Sequence, residues 1–418
     1  MTSRTLVASS AGLLMLVTAC GGGVATKNAQ SAGPAKCGDT VVIGAPYPLS
    51  GVWAENGQNA LHGMQLAAKE INAAGGIKAL SGAKISIVSA DTSSDNPGQA
   101  KAVTEGLLQK GNVAAIVGSY LSSMTLTTAI ATETAKVPII TQSFVDTLTQ
   151  KGYKYLFQIA PKASVFGAKT MENAAGVFKD QGRVLKTVAA AGSDDASTKA
   201  QTEAVVAASK AQGLSVVEKI IFPNALTDAT PIVSRLAAAK ADLIVIGGNM
   251  PDMTLIIKGL RARGVKTPIA APGGGGALTP AFGKTLGPDA EGIMASAGWN
   301  ADLKMPGVEA VAGAYEKQYG SFMPQEAGES WVAVYEVAQL MEKGQTCDPK
   351  KLRDALSATK FTEGPAAAMP PGKVGYDATG ANEFINPVLV QWQGGKLSTI
   401  FPKDVAVVAA LPLPDASK

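Results

Sequence analysis

Short apolar runs alternate with longer amphipathic segments along most of this chain, and this alternation restricts the fold more than any other feature. The runs are rich in Val and Ile, as is typical of strands buried on both faces of a parallel sheet. The first four lie at residues 41–45, 84–89, 113–118 and 137–141. Helix-like segments separate them, at residues 58–74, 97–110 and 125–135. Strands that alternate with helices predict a doubly wound α/β layer.

The same alternation restarts near residues 157–160 and continues to residue 271. A strand at residues 292–297, helices at residues 307–319 and 329–343, and a hairpin over residues 388–400 follow it. A chain of 418 residues is long enough for two domains. The sequence therefore predicts an α/β protein with two similar layers in tandem.

The charge and histidine content exclude several classes of function. There are 37 Lys and Arg residues against 33 Asp and Glu residues, and the basic residues form no stripe of the kind that binds nucleic acid. His62 is the only histidine, which excludes a Ser-His-Asp triad and a His-rich zinc site. The sequence also offers no convincing pair of nucleophile and base. We therefore expect no nucleic-acid partner, no enzymatic activity and no metal site.

Two glycine-containing segments lack the spacing of a nucleotide site. Residues 273–276 are four consecutive glycines, and the segment GKT follows at residues 283–285. A phosphate loop has four residues between its first glycine and its Gly-Lys pair, whereas six residues, 277–282, intervene here. The first strand runs into PYPLSG at residues 46–51, which lacks the glycine pattern of a dinucleotide-binding turn. No cofactor is expected, and residues 273–276 are interpreted as a flexible loop.

The N-terminus has the features of an export signal. In residues 1–19, Arg4 precedes an apolar run that is too short to span a membrane. The segment LVTAC at residues 16–20 resembles the lipobox of bacterial lipoproteins. This resemblance implies a mature chain that starts at a lipid-modified Cys20, is extracytoplasmic and is anchored to the bilayer, with residues 20–37 as a flexible tether. The alternative is a plain secretory signal with a cysteine at this position by chance.

The cysteine count fits this interpretation. The chain has three cysteines, and lipid attachment to Cys20 leaves Cys37 and Cys347 as an even pair in an oxidising compartment. We predict that Cys37 and Cys347 form a disulfide. The alternative is two unpaired thiols on separate surfaces.

Several segments resemble one protein family. They are PLSG at residues 48–51, EINAAGGI at residues 70–77, and Gly118 followed by Ser122 and Ser123. Together they resemble the substrate-binding proteins of ABC importers of the leucine/isoleucine/valine-binding type, over about residues 38–401. The resemblance implies two Rossmann-like (flavodoxin-like) lobes, joined by three crossovers, with a central cleft that closes on a small ligand.

The lobe boundaries follow from where the crossovers are placed. We expect them near residues 160, 294 and 367. Lobe I then comprises residues 38–160 and 295–366, and lobe II comprises residues 161–294 and 367–418.

The candidate ligand site lies where strands end at their carboxyl edge, because ligands of doubly wound sheets bind there. Ser122 and Ser123 lie between the third strand and the next helix, where hydroxyls and unpaired helix-start amides bind a carboxylate or serve as a helix cap. Ser143 matches a family position that contacts the ligand. The full set of candidate contacts is Trp53, Asn56, Ser122, Ser123, Ser143, Phe144, Asp195, Asn249 and Gly274.

Three departures from the family pattern bear on the ligand. Val145 stands where amino-acid-binding relatives usually have threonine, residues 195–197 are DAS in place of an aromatic-Gly pair, and glycines 273–276 replace a loop that often carries an acid. Phe144 and Trp53 add apolar surface. Asp195 either binds a cationic group or caps the helix that follows. These departures make a plain α-amino acid a poor candidate and leave an amino acid-like molecule, an amide or a hydrophobic carboxylate.

The expected function is therefore that of the binding component of an ABC importer. Its partners would be a small-molecule ligand, the membrane permease and the lipid bilayer, and the protein would be a monomer. The alternative is a sensory lipoprotein that presents the same two-lobed domain to a membrane receptor.

Overall fold

The protein is described here by a computed structural model, which covers residues 37–414. Its first part is a parallel α/β layer in which buried apolar strands alternate with helices. The strands are β1 (Thr40–Tyr47), β2 (Lys84–Asp91), β3 (Val113–Val117), β4 (Ile139–Thr141) and β5 (Leu156–Gln158). The helices are α1 (Ala54–Ala73), α2 (Pro97–Gln109) and α3 (Ser122–Ala135). These strands form one five-stranded sheet in the order β2-β1-β3-β4-β5.

The second part repeats this pattern after β5. Its strands are β6 (Thr187–Ser193), β7 (Ser215–Phe222), β8 (Leu243–Gly247), β9 (Ile269–Ala271) and β10 (Met294–Ala297). Its helices are α4 (Ala163–Asp180), α5 (Ala196–Ala211), α6 (Thr230–Ala238), α7 (Met250–Ala262) and α8 (Pro280–Leu286). Every residue of β8 is buried, as expected for a strand covered by helices on both faces.

The chain then returns to the first sheet. Helices α9 (Val308–Tyr319), α10 (Gln325–Gly344) and α11 (Pro349–Ala358) are followed by the short strand pair β11 (Lys360–Phe361) and β12 (Val374–Gly375). Helix α10 packs along α1, where Trp331 Nε1 donates a hydrogen bond to Glu70 Oε2 at 2.8 Å. His62, also on α1, stacks on Tyr319 with ring centroids 3.9 Å apart. This histidine is therefore part of the helix packing.

A terminal hairpin completes the second sheet. Strands β13 (Val388–Gln393) and β14 (Lys396–Phe401) are antiparallel, and β13 pairs antiparallel with β10. The seven-stranded sheet has the order β14-β13-β10-β9-β8-β6-β7. We call the body around the five-stranded sheet lobe I and the body around the seven-stranded sheet lobe II.

Two strand pairings bear on the connections between the lobes. Strand β10 pairs with β9 as well as β13, so the chain leaves lobe II after Ala297. An isolated bridge between Gln158 and Ala381 keeps the segment after β12 beside β5, so the chain returns to lobe II between Asn382 and Val388. The crossovers expected near residues 160, 294 and 367 stay a prediction.

A disulfide joins the start of β1 to the later part of lobe I. Cys37 and Cys347 are bonded, with their Cα atoms 5.7 Å apart and 310 residues between them in sequence. The bond links the start of β1 to the loop between α10 and α11. The predicted signal, Cys20 and most of the predicted tether lie outside the described residues. Within residues 37–414, no helix is long and apolar enough to cross a membrane, and no cluster of His, Cys, Asp and Glu side chains is suited to a metal ion.

Candidate functional site

Two adjoining cavities lie between the lobes, beside the loops that follow the carboxyl ends of the strands. The inner cavity has a volume of about 20 Å³ and the outer cavity about 580 Å³. The inner cavity is lined by Trp53, Tyr120, Leu121, Phe144, Asp195, Ser197, Thr198, Gln201, Gly248, Gly273 and Gly275. The outer cavity is lined by Gly51, Val52, Trp53, Ser94, Asp95, Pro97, Leu121, Ser123, Met124, Asp194, Asp195, Ala196, Asn224 and Ala225. Both lobes contribute to each cavity.

Four aromatic side chains form a contiguous wall between the lobes. The ring centroids are 6.0 Å apart for Trp53 and Tyr120, 6.4 Å for Tyr120 and Phe144, and 5.0 Å for Phe144 and Phe166. Trp53, Tyr120 and Phe144 come from loops of lobe I, and Phe166 comes from α4 in lobe II. All four are buried. Such edge and tilted pairs stabilise aromatic clusters beyond simple burial.

The glycine-rich loop of lobe II packs directly against this aromatic wall. A Cβ atom at Gly273 would lie 2.2 Å from the ring of Phe166, and one at Gly274 would lie 2.3 Å from the ring of Phe144. Gly274 also has φ +61°, a conformation that residues with a side chain rarely adopt. The four glycines, interpreted from sequence as a flexible loop, are a place of close contact between the lobes.

Several hydrogen bonds cross between the lobes near the cavities. The hydroxyl oxygens of Ser122 and Ser197 are 2.7 Å apart, and the amide of Gly275 donates to the hydroxyl oxygen of Tyr120 at 3.2 Å. A third bond runs from the amide of Ala281 to Glu55 Oε1 at 3.2 Å. The lobes are thus joined by polar contacts as well as by the aromatic wall.

The serine residues expected to bind the ligand have different surroundings. Ser122 Oγ accepts the amides of Phe144 and Val145, each at 3.2 Å, in addition to its contact with Ser197. Ser123 lines the outer cavity. Ser143 is fully buried, and its hydroxyl is hydrogen-bonded to the carbonyl of Tyr120 at 2.9 Å and to neighbouring threonine hydroxyls. Among these three residues, Ser123 alone lines a cavity.

Asp195 caps a helix and also lines both cavities. Its Oδ1 accepts the amide of Thr198 at 2.9 Å, at the start of α5, and its Oδ2 accepts the hydroxyl of Ser193 at 2.5 Å. A carboxylate at a helix N-terminus satisfies an amide that has no partner within the helix. Its position on both cavities leaves a second role, contact with a ligand, open to Asp195.

Two other predicted contacts lie away from the cavity walls. Asn249 is fully buried and caps α7, accepting the amide of Asp252 at 2.9 Å and donating to its carboxylate at 2.6 Å. Asn56 donates to Glu326 Oε1 at 3.1 Å, between α1 and α10. The side chains of Asn56 and Asn249 are thus committed to bonds within their own lobes.

Several residues that line the inner cavity or join the lobes there were not predicted from the sequence, and four of them contribute side chains named above. Tyr120 follows β3, Phe166 lies on the first turn of α4, and Ser197 and Gln201 are on α5. A signal for Tyr120 was available, because it lies at the carboxyl end of a predicted strand next to Ser122. Phe166, Ser197 and Gln201 lie within helices, where no local pattern distinguishes a residue that faces the other lobe from one that packs in its own.

The charges at the cavities are acidic. Asp95, Asp194 and Asp195 are among the lining residues, and no Lys, Arg or His of the described chain lines either cavity. Lys199 Nζ is paired with Asp194 at 2.9 Å, and both side chains are more than half exposed. Burial, followed by the nearby carboxyl of Glu326, raises the pKa of the Tyr120 hydroxyl well above its ordinary value.

Two buried carboxyl groups lie behind the cleft on the first turns of α10. Burial raises the pKa of Glu326 to about 8, although Asn59 and Asn56 donate hydrogen bonds that oppose the shift. Burial and then the neighbouring Glu326 raise the pKa of Glu329 well above its ordinary range. Among the described residues, no hydrogen bond reaches either carboxyl oxygen of Glu329. Burial without a partner and the nearby Glu326 both favour the neutral acid form of Glu329.

Comparison with known proteins gives consistent results. A protein-family model described as "Periplasmic binding protein" matches residues 40–396. Leu/Ile/Val-binding protein homolog 8 of Brucella melitensis is 29% identical over 387 residues, which are 88% of this chain and 92% of that protein.

Solved structures share the fold. The branched-chain amino acid transporter substrate binding protein LivJ of Streptococcus pneumoniae, in complex with isoleucine, has a TM-score of 0.75 and 24% identity, over 87% of this chain and 100% of that one. A solute binding protein of R. palustris, in complex with benzoate, has a TM-score of 0.73 and 19% identity, over 88% of this chain and 98% of that one. At these identities the comparison is one of architecture, two α/β lobes around a cleft.

Proposed function

The chain belongs to the periplasmic binding protein family, and from this premise we propose that it captures a small molecule between its lobes and delivers it to an ABC importer. Its relatives are solute-binding proteins rather than enzymes. The observation that carries the proposal is the cavity of about 580 Å³ lined by residues of both lobes. This volume is in the usual range for small-molecule sites.

Capture by closure follows from the position of the cavities. A ligand that contacts both lobes binds the closed arrangement better than an open one, and so shifts the population toward closure. Trp53, Ser123, Phe144 and Asp195 are the predicted contacts that line a cavity, and we assign the ligand to them. On the strand pairing, we place lobe I at residues 38–160 and 298–382, and lobe II at the remaining described segments.

Export and anchoring through Cys20 are part of the same proposal. The support is the signal-like segment of residues 1–19 and the lipobox-like LVTAC that ends at Cys20. A Cys20→Ala variant should lose acyl label and leave the membrane fraction, whereas Cys37→Ala should keep both. A Cys20→Ala protein that remains acylated and membrane-bound would contradict the anchor.

Delivery to an importer is tested separately from binding. Thermal unfolding in the presence of candidate solutes identifies ligands, because a ligand at 100 times its Kd stabilises the folded state by about 2.7 kcal/mol. Uptake of an identified, radiolabelled ligand is then compared in cells with and without this protein. Unchanged uptake, with binding intact, would reject delivery and favour a sensory role.

A further inference from the structure

The two cavities differ in size in a way that restricts the shape of a ligand. The inner cavity, about 20 Å³, has room for one group about the size of a water molecule. The outer cavity, about 580 Å³, shares Trp53, Leu121 and Asp195 with it. A ligand that fills both cavities therefore has a small head group in the inner one and a larger body in the outer one.

The inner cavity offers hydrogen-bond acceptors to that head group. Gln201 is 97% buried, and its Nε2 donates to the carbonyl of Gly273 at 2.9 Å, which fixes the orientation of the amide. Its carbonyl oxygen, Oε1, is a hydrogen-bond acceptor on a residue of the cavity wall. The carboxylate of Asp195 has remaining acceptor capacity beside its two existing bonds. A group that donates hydrogen bonds suits this pair.

Three amides near the inner cavity are already used. Phe144 and Val145 donate their amides to Ser122 Oγ, and Gly275 donates to Tyr120. A carboxylate head group in the inner cavity would also lie next to Asp195, where like charges repel. Asp195 therefore favours a cation over an anion in the inner cavity.

Aromatic faces and charge favour a cation instead. Trp53, Tyr120 and Phe144 line the inner cavity, and aromatic rings attract ammonium groups, with Trp the most effective. None of the described residues that line either cavity is basic. In the outer cavity, Asp194 is matched by Lys199, whereas Asp95 is bonded to the hydroxyl of Ser93.

We propose that the cleft binds a primary aliphatic amine of net positive charge, with its ammonium group in the inner cavity among Asp195, Gln201 and the ring of Trp53. A diamine fits best, since its second ammonium group would lie in the outer cavity with Asp95. This inference rests on the proposed function, because it takes the cleft as the ligand site.

Calorimetry of the full chain with four probes tests the charge preference. Diaminobutane is compared with butanediol, its uncharged analogue of equal length, and with leucine and benzoate. We expect diaminobutane to bind, butanediol to bind at least about 10-fold more weakly, and the affinity for diaminobutane to fall as ionic strength rises.

Three variants test the placement of the ammonium group. Asp195→Asn removes the charge but keeps a good helix cap, and should weaken diaminobutane binding about 10- to 150-fold. Trp53→Leu should weaken it about 5- to 30-fold. Asp354→Asn, at a position 73% exposed on α11, is the matched control and should leave the affinity unchanged.

The possible failures are distinguishable. Binding of leucine or benzoate without diaminobutane would overturn the ligand class and leave the proposed function standing. Binding of none of the four probes would overturn the amine, whereas the proposed function is tested by the broader thermal-unfolding screen and the uptake assay. Unchanged diaminobutane affinity in Asp195→Asn would overturn the placement of the ammonium group.

Discussion

The hydroxyl oxygens of Ser122 and Ser197 lie 2.7 Å apart across the cleft, one in the first turn of α3 and the other in the first turn of α5. Ser122 also accepts the amides of Phe144 and Val145. One hydroxyl thus positions the loop after β4 in lobe I and contacts lobe II. Loss of either serine would affect the closed arrangement, but the two losses are not equivalent, because only Ser122 holds backbone amides of its own lobe.

Ser197→Ala should favour the open arrangement without harming the fold of either lobe. Removing one hydrogen bond costs about 1 kcal/mol, or about a 5-fold loss of ligand affinity. Small-angle scattering should show a larger radius of gyration at the same subsaturating ligand concentration. Ser209→Ala is the control, because Ser209 Oγ donates only to the carbonyl of Val205 within α5. Equal scattering and affinity for Ser197→Ala and wild type would show that this bond does not contribute to closure.

Reduction of the Cys37–Cys347 disulfide should destabilise lobe I. The bond closes a loop of 310 residues, and its loss typically costs about 2 to 4 kcal/mol, since the reduced unfolded chain gains entropy. Urea unfolding with and without reductant measures the difference. The Cys37→Ser, Cys347→Ser double variant should match the reduced wild type and should not respond to reductant. A wild-type midpoint that is insensitive to reductant would contradict a stabilising bond.

Glu329→Gln should stabilise the protein most at alkaline pH. The pKa of Glu329 is raised in the folded state by burial and by Glu326, above the unfolded value of about 4.3. Folding therefore takes up a proton. As pH rises from the unfolded pKa toward the folded pKa, this group lowers the free energy of unfolding by up to about 1.4 kcal/mol per pH unit. Glutamine has a similar shape and no charge.

The free energy of unfolding of both proteins is measured between about pH 5 and pH 9, roughly the range over which such a raised pKa changes stability. The wild type should lose stability relative to Glu329→Gln as pH increases. Glu309→Gln, at an exposed position on α9, is the control and should run parallel to the wild type. Parallel curves for Glu329→Gln and wild type would mean that Glu329 is not held as the neutral acid.

Local sequence patterns predicted most strands and helices because each element is marked by its own run of apolar residues, which the fold buries. Strand β3 was expected at residues 113–118 and lies at Val113–Val117, and α2 was expected at residues 97–110 and lies at Pro97–Gln109. Helix α10 begins at Gln325, four residues before its expected start. Its first turns carry Glu326 and Glu329. Both side chains are buried, which nothing in the local sequence predicted.

The site was less predictable for a physical reason. Trp53, Ser123, Phe144 and Asp195 were selected because they follow strands, and position after a strand is a local property. The pairing of Ser122 with Ser197 depends on how two lobes fit together, which no local pattern specifies. The same limit applies to Asn249, whose position after β8 resembled that of a ligand contact although its amide caps α7.

Gly274→Ala should impair closure more than it impairs folding. A Cβ atom at this position would lie 2.3 Å from the ring of Phe144, on the opposite lobe. The clash is relieved if the lobes separate slightly, so the closed state is penalised and the open state is not. Ligand affinity should fall at least about 10-fold, which corresponds to about 1.4 kcal/mol. Calorimetry with an identified ligand measures this change.

A second glycine with positive φ serves as the control for backbone strain. Gly264 has φ +73°, and Gly274 has φ +61° with ψ −160°, a combination found almost only in glycine, so alanine is disfavoured at both positions and strain at Gly274 adds to the clash. A Cβ atom at Gly264, however, has nothing within 4 Å. Gly264→Ala should therefore lower the unfolding free energy while leaving ligand affinity intact, and Gly274→Ala should lower both. If the two variants lose stability equally and both bind as wild type, the contact between Gly274 and Phe144 is not part of the closed state that holds the ligand.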